Sequence, residues 1–311
     1  MLKKPRQIDH ENLWNRLARD LIYDAKQVLL YCGVTVPASK GSGDRDDYAE
    51  IIERTTKGTE YGAIYDPATR RIHFEPGYIQ NIVDQAYRFD FPIFDKSFGP
   101  GGIAGFIHDE DGDHFELKAP DLNHILKQAM IAKNHDMPFA FVSARQLGQY
   151  EIEQFEITSN IFEGPMFFNV AKETGVAEAK KFQTDGHFLI TNHTIFTSPL
   201  TLSFKKNIDI FVQCVAQRIP VMLVTQPFSG QNGPMTPYGI ALLAFAEFLA
   251  GMAMAFAINP DTKIINGAYP TMCTAGRNPQ LKIGSMVHNF TNYLIAYTSR
   301  LLDIASIQSG C

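Results

Sequence analysis

Apolar residues near the start of the chain recur at the spacing of one helix face. They are Leu13, Leu17, Leu21, Ala25, Val28 and Leu29. This spacing predicts an amphipathic helix, and Gly33 is the residue type that commonly ends helices in the left-handed conformation. A strand in RRIHF and a helix around GYIQNIVDQAY follow. Residues 1–96 are therefore predicted to form an α-rich N-terminal layer.

From residue 97 onward, short apolar runs alternate with longer helical patterns. The predicted strands are GGIAGFI, PFAFVSA, PMFFNVA, HFLITNH, PVMLVTQPF, TKIINGAY and ASIQSG. The predicted helices span residues 121–134, 149–161, 176–183, 199–218, 237–258 and 284–302. Strands that alternate with helices indicate parallel βαβ units, and nearly all-apolar runs are typical of parallel strands covered on both faces.

These strands predict an α/β fold, a (β/α)8 TIM-type barrel over residues 97–311. The barrel would be incomplete at the C-terminus, because about seven strands are present and closure needs eight. An open doubly wound sheet is the alternative, but its GxGxxG entry into a helix is absent. An incomplete barrel would expose edge strands, and covering them favours a homo-oligomer.

One apolar stretch is long enough to cross a membrane. It is GIALLAFAEFLAGMAMAFAI, residues 239–258, with Glu247 near its centre. A central charge is costly in lipid, so a buried helix is favoured and no membrane partner is expected. Glu247 lies roughly 15 Å along the helix from Pro237 at 1.5 Å per residue. It is read either as a buried structural acid or as a catalytic carboxylate.

Composition narrows the class of protein. The chain has 311 residues, 45% of them apolar and 20% charged, with a net charge of -5, which is ordinary for a globular protein. The absence of a basic excess argues against nucleic-acid binding. The cysteines are far apart, form no CxxC pair and suit a reducing, cytoplasmic location rather than a disulfide framework or zinc ribbon. They are Cys32, Cys214, Cys273 and Cys311.

Candidate chemistry is expected at the C-terminal ends of the strands, where barrel enzymes place their active sites. The polar residues there are Ser143, Arg145, Asn169, Asn192, His193, Gln226, Ser229, Gln231, Asn232, Asn266, Tyr269, Gln308 and Ser309. The most distinctive loop, QPFSGQNGPMTP, offers neutral donors and acceptors, although any such loop can be only a turn. Arg145 is able to bind an anionic group through its planar guanidinium, or to close a helix.

The segment HDEDGDH, His108 to His114, has ligand chemistry suited to zinc or calcium. It lacks the EF-hand spacing, and Asp-Gly between alternating strands is a strong hairpin signal. A solvated hairpin tip is therefore favoured over a metal site, and a metal-dependent hydrolase or lyase is a weaker alternative.

In their order along the chain, several segments resemble the trimethylamine methyltransferase family, which includes relatives that act on glycine betaine. The segments are VLLYCGVTVP, SAR at Ser143–Arg145, TSPLTLS, FSGQNGPMTPYG, AEFLAGMAMA, NGAYP and IGS. The chain departs from the family pattern where Phe245 replaces an asparagine, and an aspartate expected near Thr274 or Ala275 is absent. A further family acid is missing after Ser285, where Met286 and Val287 stand.

The resemblance implies a barrel that moves a methyl group from a tertiary or quaternary amine to the Co(I) of a corrinoid protein. The corrinoid would come from that partner, so no cofactor is expected to be bound directly. Glu247 is the candidate catalytic residue, and Phe228 and Tyr269 are candidates for cation–π contact with the amine. The other candidate substrate-binding residues are Arg145, Gln226, Ser229, Asn232 and Gln308. The alternative is a non-catalytic barrel that binds a quaternary amine or a protein partner.

The resemblance also gives an expectation for the end of the chain, SIQSGC. In pyrrolysine-containing members, pyrrolysine follows this segment, and it is encoded by UAG. The expectation is a chain cut at that codon within a longer barrel, with a natural or deliberate fragment as the alternative.

Overall fold

The computed structural model describes residues 10–38, 48–57, 62–85, 107–108, 117–118, 121–142, 151–273 and 282–308. Its helices are α1 (His10–Tyr31), α2 (Ala49–Thr56), α3 (Pro76–Gln85), α4 (Leu122–Asn134), α5 (Glu151–Ser159), α6 (Glu173–Thr184), α7 (Lys205–Ala216), α8 (Pro237–Ile258) and α9 (Met286–Leu301). Its strands are β1 (Val34–Thr35), β2 (Ala63–Asp66), β3 (Arg71–Phe74), β4 (Ile107–His108), β5 (Leu117–Lys118), β6 (Ala140–Val142), β7 (Met166–Asn169), β8 (Leu189–His193), β9 (Phe196–Thr197), β10 (Thr201–Leu202), β11 (Val221–Leu223), β12 (Phe228–Ser229), β13 (Ile264–Asn266) and β14 (Thr271–Met272).

The main sheet is parallel, and its strands follow one another in chain order. The order is β6-β7-β8-β11-β13, and Ser306 extends it through a parallel bridge to Asn266. These are the second to seventh predicted strands. Neighbouring strands are joined by helices, so the predicted βαβ rhythm is confirmed in this part of the chain. A doubly wound sheet reverses its strand order at a switch point, and these described strands show no such reversal.

The two faces of this sheet belong to different apolar clusters. Alternate side chains of a strand point to opposite faces, and on one face Met166, Leu189 and Val221 join the large core shared with the helices. The other face carries a smaller cluster, which we call the aromatic face. Its buried members are Phe139, Phe167, Ile190, Met222 and Ile265, with Phe141, Phe188, Val224, Ala305 and Ile307 packed against them.

The N-terminal region contains more strand than its sequence suggested. β2 was not expected, yet it pairs antiparallel with the predicted β3. The turn between them is held by Asp66, whose carboxylate accepts hydrogen bonds from Ala68 N at 2.9 Å and Thr69 Oγ1 at 2.6 Å. The resulting sheet has the order β2-β3-β1-β10-β9, so it includes strands from beyond residue 190. The α-rich description therefore omits a five-stranded mixed sheet.

The long apolar helix α8 is a core helix. It begins and ends at the predicted residues, with Thr236 Oγ1 accepting a capping hydrogen bond from Gly239 N at 3.1 Å. It packs against α1, α2, α7 and α9. By length and composition it could span a membrane, but 83% of its most apolar window is buried inside the protein. Such burial is that of the core helix of a soluble protein, because a membrane span would present apolar side chains to lipid.

One predicted helix begins later than expected. Residues 199–218 were assigned to a helix, but α7 starts at Lys205. The preceding residues form the β9 and β10 pair, and Leu200 adopts a positive φ of 43°. The backbone N–H of Leu200 donates to the Glu247 carboxylate at 2.9 Å. A tertiary hydrogen bond therefore draws this segment away from the helix that its sequence favours.

Replacing Gly33 by alanine is expected to lower the free energy of unfolding by at least about 1 kcal/mol, the scale of the left-handed penalty. Gly33 has a φ of +61°, and an added Cβ would lie 2.7 Å from Ile72 O. Urea unfolding measures the change. Gly77→Ala is the matched control, because nothing lies within 4 Å of its added Cβ. Equal stability of the two variants would contradict the expectation.

Candidate functional site

Two long parallel strand segments carry half of the predicted catalytic and substrate-binding residues, namely Gln226, Phe228, Ser229 and Tyr269. β11 and β12 lie on one, and β13 and β14 on the other. Val221 pairs with Ile264 at the start of the ladder. Phe228 pairs with Thr271 at its end, in the same register. The ladder therefore continues beyond the main sheet, on the side where the strands have their C-terminal ends.

Gln226 and Tyr269 lie opposite each other in this ladder. Between its two ends, Tyr269 N donates to Thr225 O at 2.7 Å, which keeps the register unbroken. Gln226 is exposed, and Phe228 and Tyr269 are half-buried. The structure thus brings together three residues that the sequence had placed on two separate strands, an amide and two aromatic rings.

The loop after Phe228 is shaped by its own hydrogen bonds. Asn232 Oδ1 accepts from Phe228 N at 2.6 Å, and Phe228 O accepts from the backbone N–H groups of Gln231, Asn232 and Gly233. The Ser229 side chain is buried, and its hydroxyl donates to Met235 O at 3.5 Å. Ser229 and Asn232 therefore hold the loop that carries Phe228, and their roles in substrate binding stay predictions.

Tyr269 is positioned by a buried histidine on α9. The ring of Tyr269 lies 5.8 Å from that of His288 at 69°. His288 is fully buried, and its Nδ1 lies 3.2 Å from Pro270 O. Nδ1 also lies 3.2 Å from Asn292 Nδ2, so it has an acceptor beside it in one tautomer and a donor in the other. Asn292 Nδ2 donates to Pro270 O at 3.3 Å, which fixes the backbone beside Tyr269.

Gln308 lies at the last described parallel position of the sheet. Its Nε2 donates to Asn266 O at 3.1 Å. Its Oε1 is buried and has no hydrogen-bond partner among the described residues. The amide is therefore held by Asn266 O at one end, and a role of Gln308 in substrate binding stays a prediction.

Glu247 lies in the core rather than in the loop region. Its side chain is 0% exposed, and its two oxygens accept from Ser198 Oγ and Leu200 N, both at 2.9 Å. Burial raises the pKa of Glu247 to about 7, although both hydrogen bonds act to lower it. The contacts fit the structural alternative: the carboxyl joins α8 to the β9–β10 turn. Its catalytic role stays a prediction.

The histidine at the end of β8 faces the helices. His193 is 5% exposed, and its Nε2 lies 2.8 Å from Thr191 Oγ1. Burial lowers the pKa of His193 to about 3, so the imidazole is neutral at physiological pH. Such a group packs and hydrogen-bonds rather than carrying charge at the site.

Asn169 and Asn192 are neighbours on the aromatic face. They are partners in the β7–β8 register, and Asn192 pairs in turn with Met222 of that face. Asn169 is exposed and Asn192 is half-buried. Both were noted as polar strand ends but were not assigned to the site. The alternation in Leu189–His193 was the available signal, because it separates Asn192 from His193.

Two sequence predictions fall largely outside the described residues. Arg145 is among them, so its proposed anion contact is not described. For the segment His108 to His114, Ile107 pairs antiparallel with Lys118 and His108 with Leu117. This pairing confirms the flanks of the expected hairpin, while its tip lies outside the described part. Within that part no group of three or more His, Cys, Asp or Glu side chains is arranged to hold a metal ion.

Comparison with known proteins bears on the same segment. No curated protein matches the chain. The model of the family described as trimethylamine methyltransferase (MTTB) matches residues 174–296, a stretch that runs from α6 into α9 and includes the loop after Phe228. That family implies methyltransferase activity on methylamines. Over residues 174–296 the match confirms the predicted resemblance to the trimethylamine methyltransferase (MTTB) family.

Proposed function

We propose that this chain transfers a methyl group from a tertiary or quaternary amine to the cobalt(I) of a corrinoid held by a partner protein. The observation that carries the proposal is the uncharged site formed by Gln226, Phe228 and Tyr269 within the family-matched segment. Aromatic rings attract a methylated ammonium through their negative faces. Neutral amide groups orient the methylated amine without forming an ion pair with it.

The transfer balances without a further reactant. The C–N bond breaks, the nitrogen keeps its electron pair, and the methyl carbon forms a bond to cobalt, which supplies both electrons. A protonated tertiary amine then leaves as a neutral secondary amine. The protein's task is to hold the amine with one methyl group aimed outward and to exclude water, which gains rate by orientation.

The side chains of the candidate site suit a chain that binds the amine while a partner protein holds the corrinoid. The described residues around Phe228 offer amides, a hydroxyl and rings, which suit a methylated amine. His193 and His288, the nearby imidazoles, are buried in contacts with Thr191 and Pro270. That a partner protein holds the corrinoid, rather than this chain, is part of the proposal.

Closure of the main sheet into a (β/α)8 barrel is part of the proposal, as are a homo-oligomer and a cytoplasmic location. The support for a barrel is the unreversed order of the parallel strands, since sequential order around one axis is what a closed barrel requires.

A methyl-transfer assay tests the proposed function. The purified chain is mixed with cob(I)alamin and trimethylamine or glycine betaine, and loss of the cob(I)alamin absorbance is followed. Methylation above a protein-free control is expected with at least one amine. Equilibrium binding of the amine without any methylation would instead favour the binding-protein alternative.

Removing the two rings together, as Phe228→Ala with Tyr269→Ala, is expected to weaken amine binding about 5- to 30-fold. This follows from about 0.5–1 kcal/mol for each cation–π contact. Titration calorimetry measures the affinity. Phe204→Ala is the matched control, because Phe204 is 78% exposed and lies at the start of α7. Unchanged affinity in the double variant would remove the aromatic rings from the site.

A further inference from the structure

The aromatic face ends in a buried acceptor that nothing in the described chain satisfies. Asn192 Oδ1 is buried and has no hydrogen-bond partner among the described residues. A buried acceptor without a donor costs about 1–3 kcal/mol, and such groups in native proteins call for a reason. An amide oxygen at the end of a parallel strand is well placed to meet a ligand.

The surroundings of Asn192 are apolar and aromatic. Its register partner Met222 and its strand neighbour Ile190 belong to the aromatic face. Farther along this face, Phe141 of β6 and Phe167 of β7 stack with centroids 4.9 Å apart at 26°, and Phe139 packs edge-on against Phe167 at 5.3 Å. The acceptor therefore lies at the margin of a surface that suits methyl groups.

No charged residue occupies the described strand positions of this face. Alternation from the buried cluster assigns to it Phe, Asn, Ile, Met, Val, Gln, Gly, Tyr and Ala residues, and none of these is a Lys, Arg, His, Asp or Glu. A ligand that carries its own carboxylate would find no cation among them. A ligand with one positive charge, methyl groups and an N–H would satisfy both the rings and the amide oxygen.

We propose that Asn192 selects a protonated amine that bears an N–H over a quaternary ammonium, by accepting that hydrogen in a charge-assisted hydrogen bond. The inference rests on the proposed function and names its substrate class: protonated tertiary or secondary methylamines. Aliphatic amines of lysine-like basicity carry this proton at neutral pH. A quaternary ammonium has no N–H, and it would leave Asn192 Oδ1 unsatisfied in the bound state.

Calorimetric binding of two matched cations tests the inference. Trimethylammonium and tetramethylammonium chloride have the same charge and differ by replacement of the N–H with a methyl group. The wild-type chain is expected to bind trimethylammonium about tenfold more tightly, the scale of one hydrogen bond to a charged donor. Asn192→Ala is expected to lose that preference while keeping its affinity for tetramethylammonium.

Asn192→Asp provides a second variant that keeps the acceptor. It is expected to bind both cations more tightly and to retain the preference. Equal wild-type affinity for the two cations would overturn the inference while leaving the methyl-transfer assay as a separate test of function. Failure of the wild type to bind either cation would overturn it as well. Asn169→Ala, on the neighbouring strand, is expected to keep the preference for trimethylammonium. Loss of that preference in Asn169→Ala would contradict the assignment of selection to Asn192.

Discussion

Replacing Glu247 by alanine is expected to lower the free energy of unfolding by about 3–5 kcal/mol, from the scale of unsatisfied buried groups and cavities. The side chain is fully buried, and its oxygens accept hydrogen bonds from Ser198 Oγ and Leu200 N. Its removal leaves both donors without their acceptor, including the backbone N–H of Leu200, a residue with a positive φ. Urea unfolding followed by circular dichroism measures the change.

Two further variants separate structure from chemistry at this position. Glu247→Gln keeps an oxygen for the Leu200 N–H and an NH₂ that donates to Ser198 Oγ, so at low pH, where the wild-type carboxyl is protonated, its stability is expected to stay near that of the wild type. Glu156→Ala, on the exposed side of α5, is expected to change stability by less than about 0.5 kcal/mol. If Glu247→Ala costs no more than Glu156→Ala, the hydrogen bonds do not join α8 to the turn.

The Glu247→Gln variant also distinguishes a structural from a catalytic role of Glu247 in methyl transfer. If the carboxyl is structural, Glu247→Gln is expected to keep activity in the cob(I)alamin assay. Loss of activity in a Glu247→Gln protein of wild-type stability would favour the catalytic alternative.

Stability is expected to fall with rising pH across the window set by Glu247. Burial raises its pKa to about 7 in the folded protein, from a value of 4.5 without burial. Between these values the folded state holds a proton that the unfolded state has released. The stabilisation is therefore complete below about pH 4.5 and is lost as pH rises through about 7, a change of about 3 kcal/mol.

The measurement is the difference in unfolding free energy between the wild type and Glu247→Gln at several pH values. The wild type is expected to lose stability relative to Glu247→Gln as pH rises, because glutamine does not titrate. Other titrating groups contribute equally to both proteins and cancel. Parallel pH profiles would mean that Glu247 does not change its protonation in this window.

Much of the secondary structure could be predicted because it depends on local pattern. The limits of α8 were readable, since Thr236 and Pro237 form a capped start. The apolar runs predicted the parallel strands that lie in the main sheet. The late start of α7 could not be read, because it depends on a hydrogen bond between Leu200 and Glu247, residues far apart in sequence.

The candidate site was predicted in composition but not in arrangement. The sequence named Gln226, Phe228 and Tyr269, but only the β11–β13 register places Gln226 opposite Tyr269. It also named Ser229 and Asn232 without showing that loop hydrogen bonds engage them. Side chains with similar chemistry can bind a ligand or hold a loop, and the contacts distinguish these roles.

By itself, the sequence determined the βαβ order, the long core helix and the resemblance that the family match supports over residues 174–296, because periodicity, capping and ordered motifs are properties of the chain. Only the tertiary structure decided which polar groups have partners. It gave Glu247 two donors from a distant turn and left Asn192 Oδ1 buried without a donor among the residues that the structure describes. The physical reason is that hydrogen-bond satisfaction depends on positions in space, which residues distant in sequence supply.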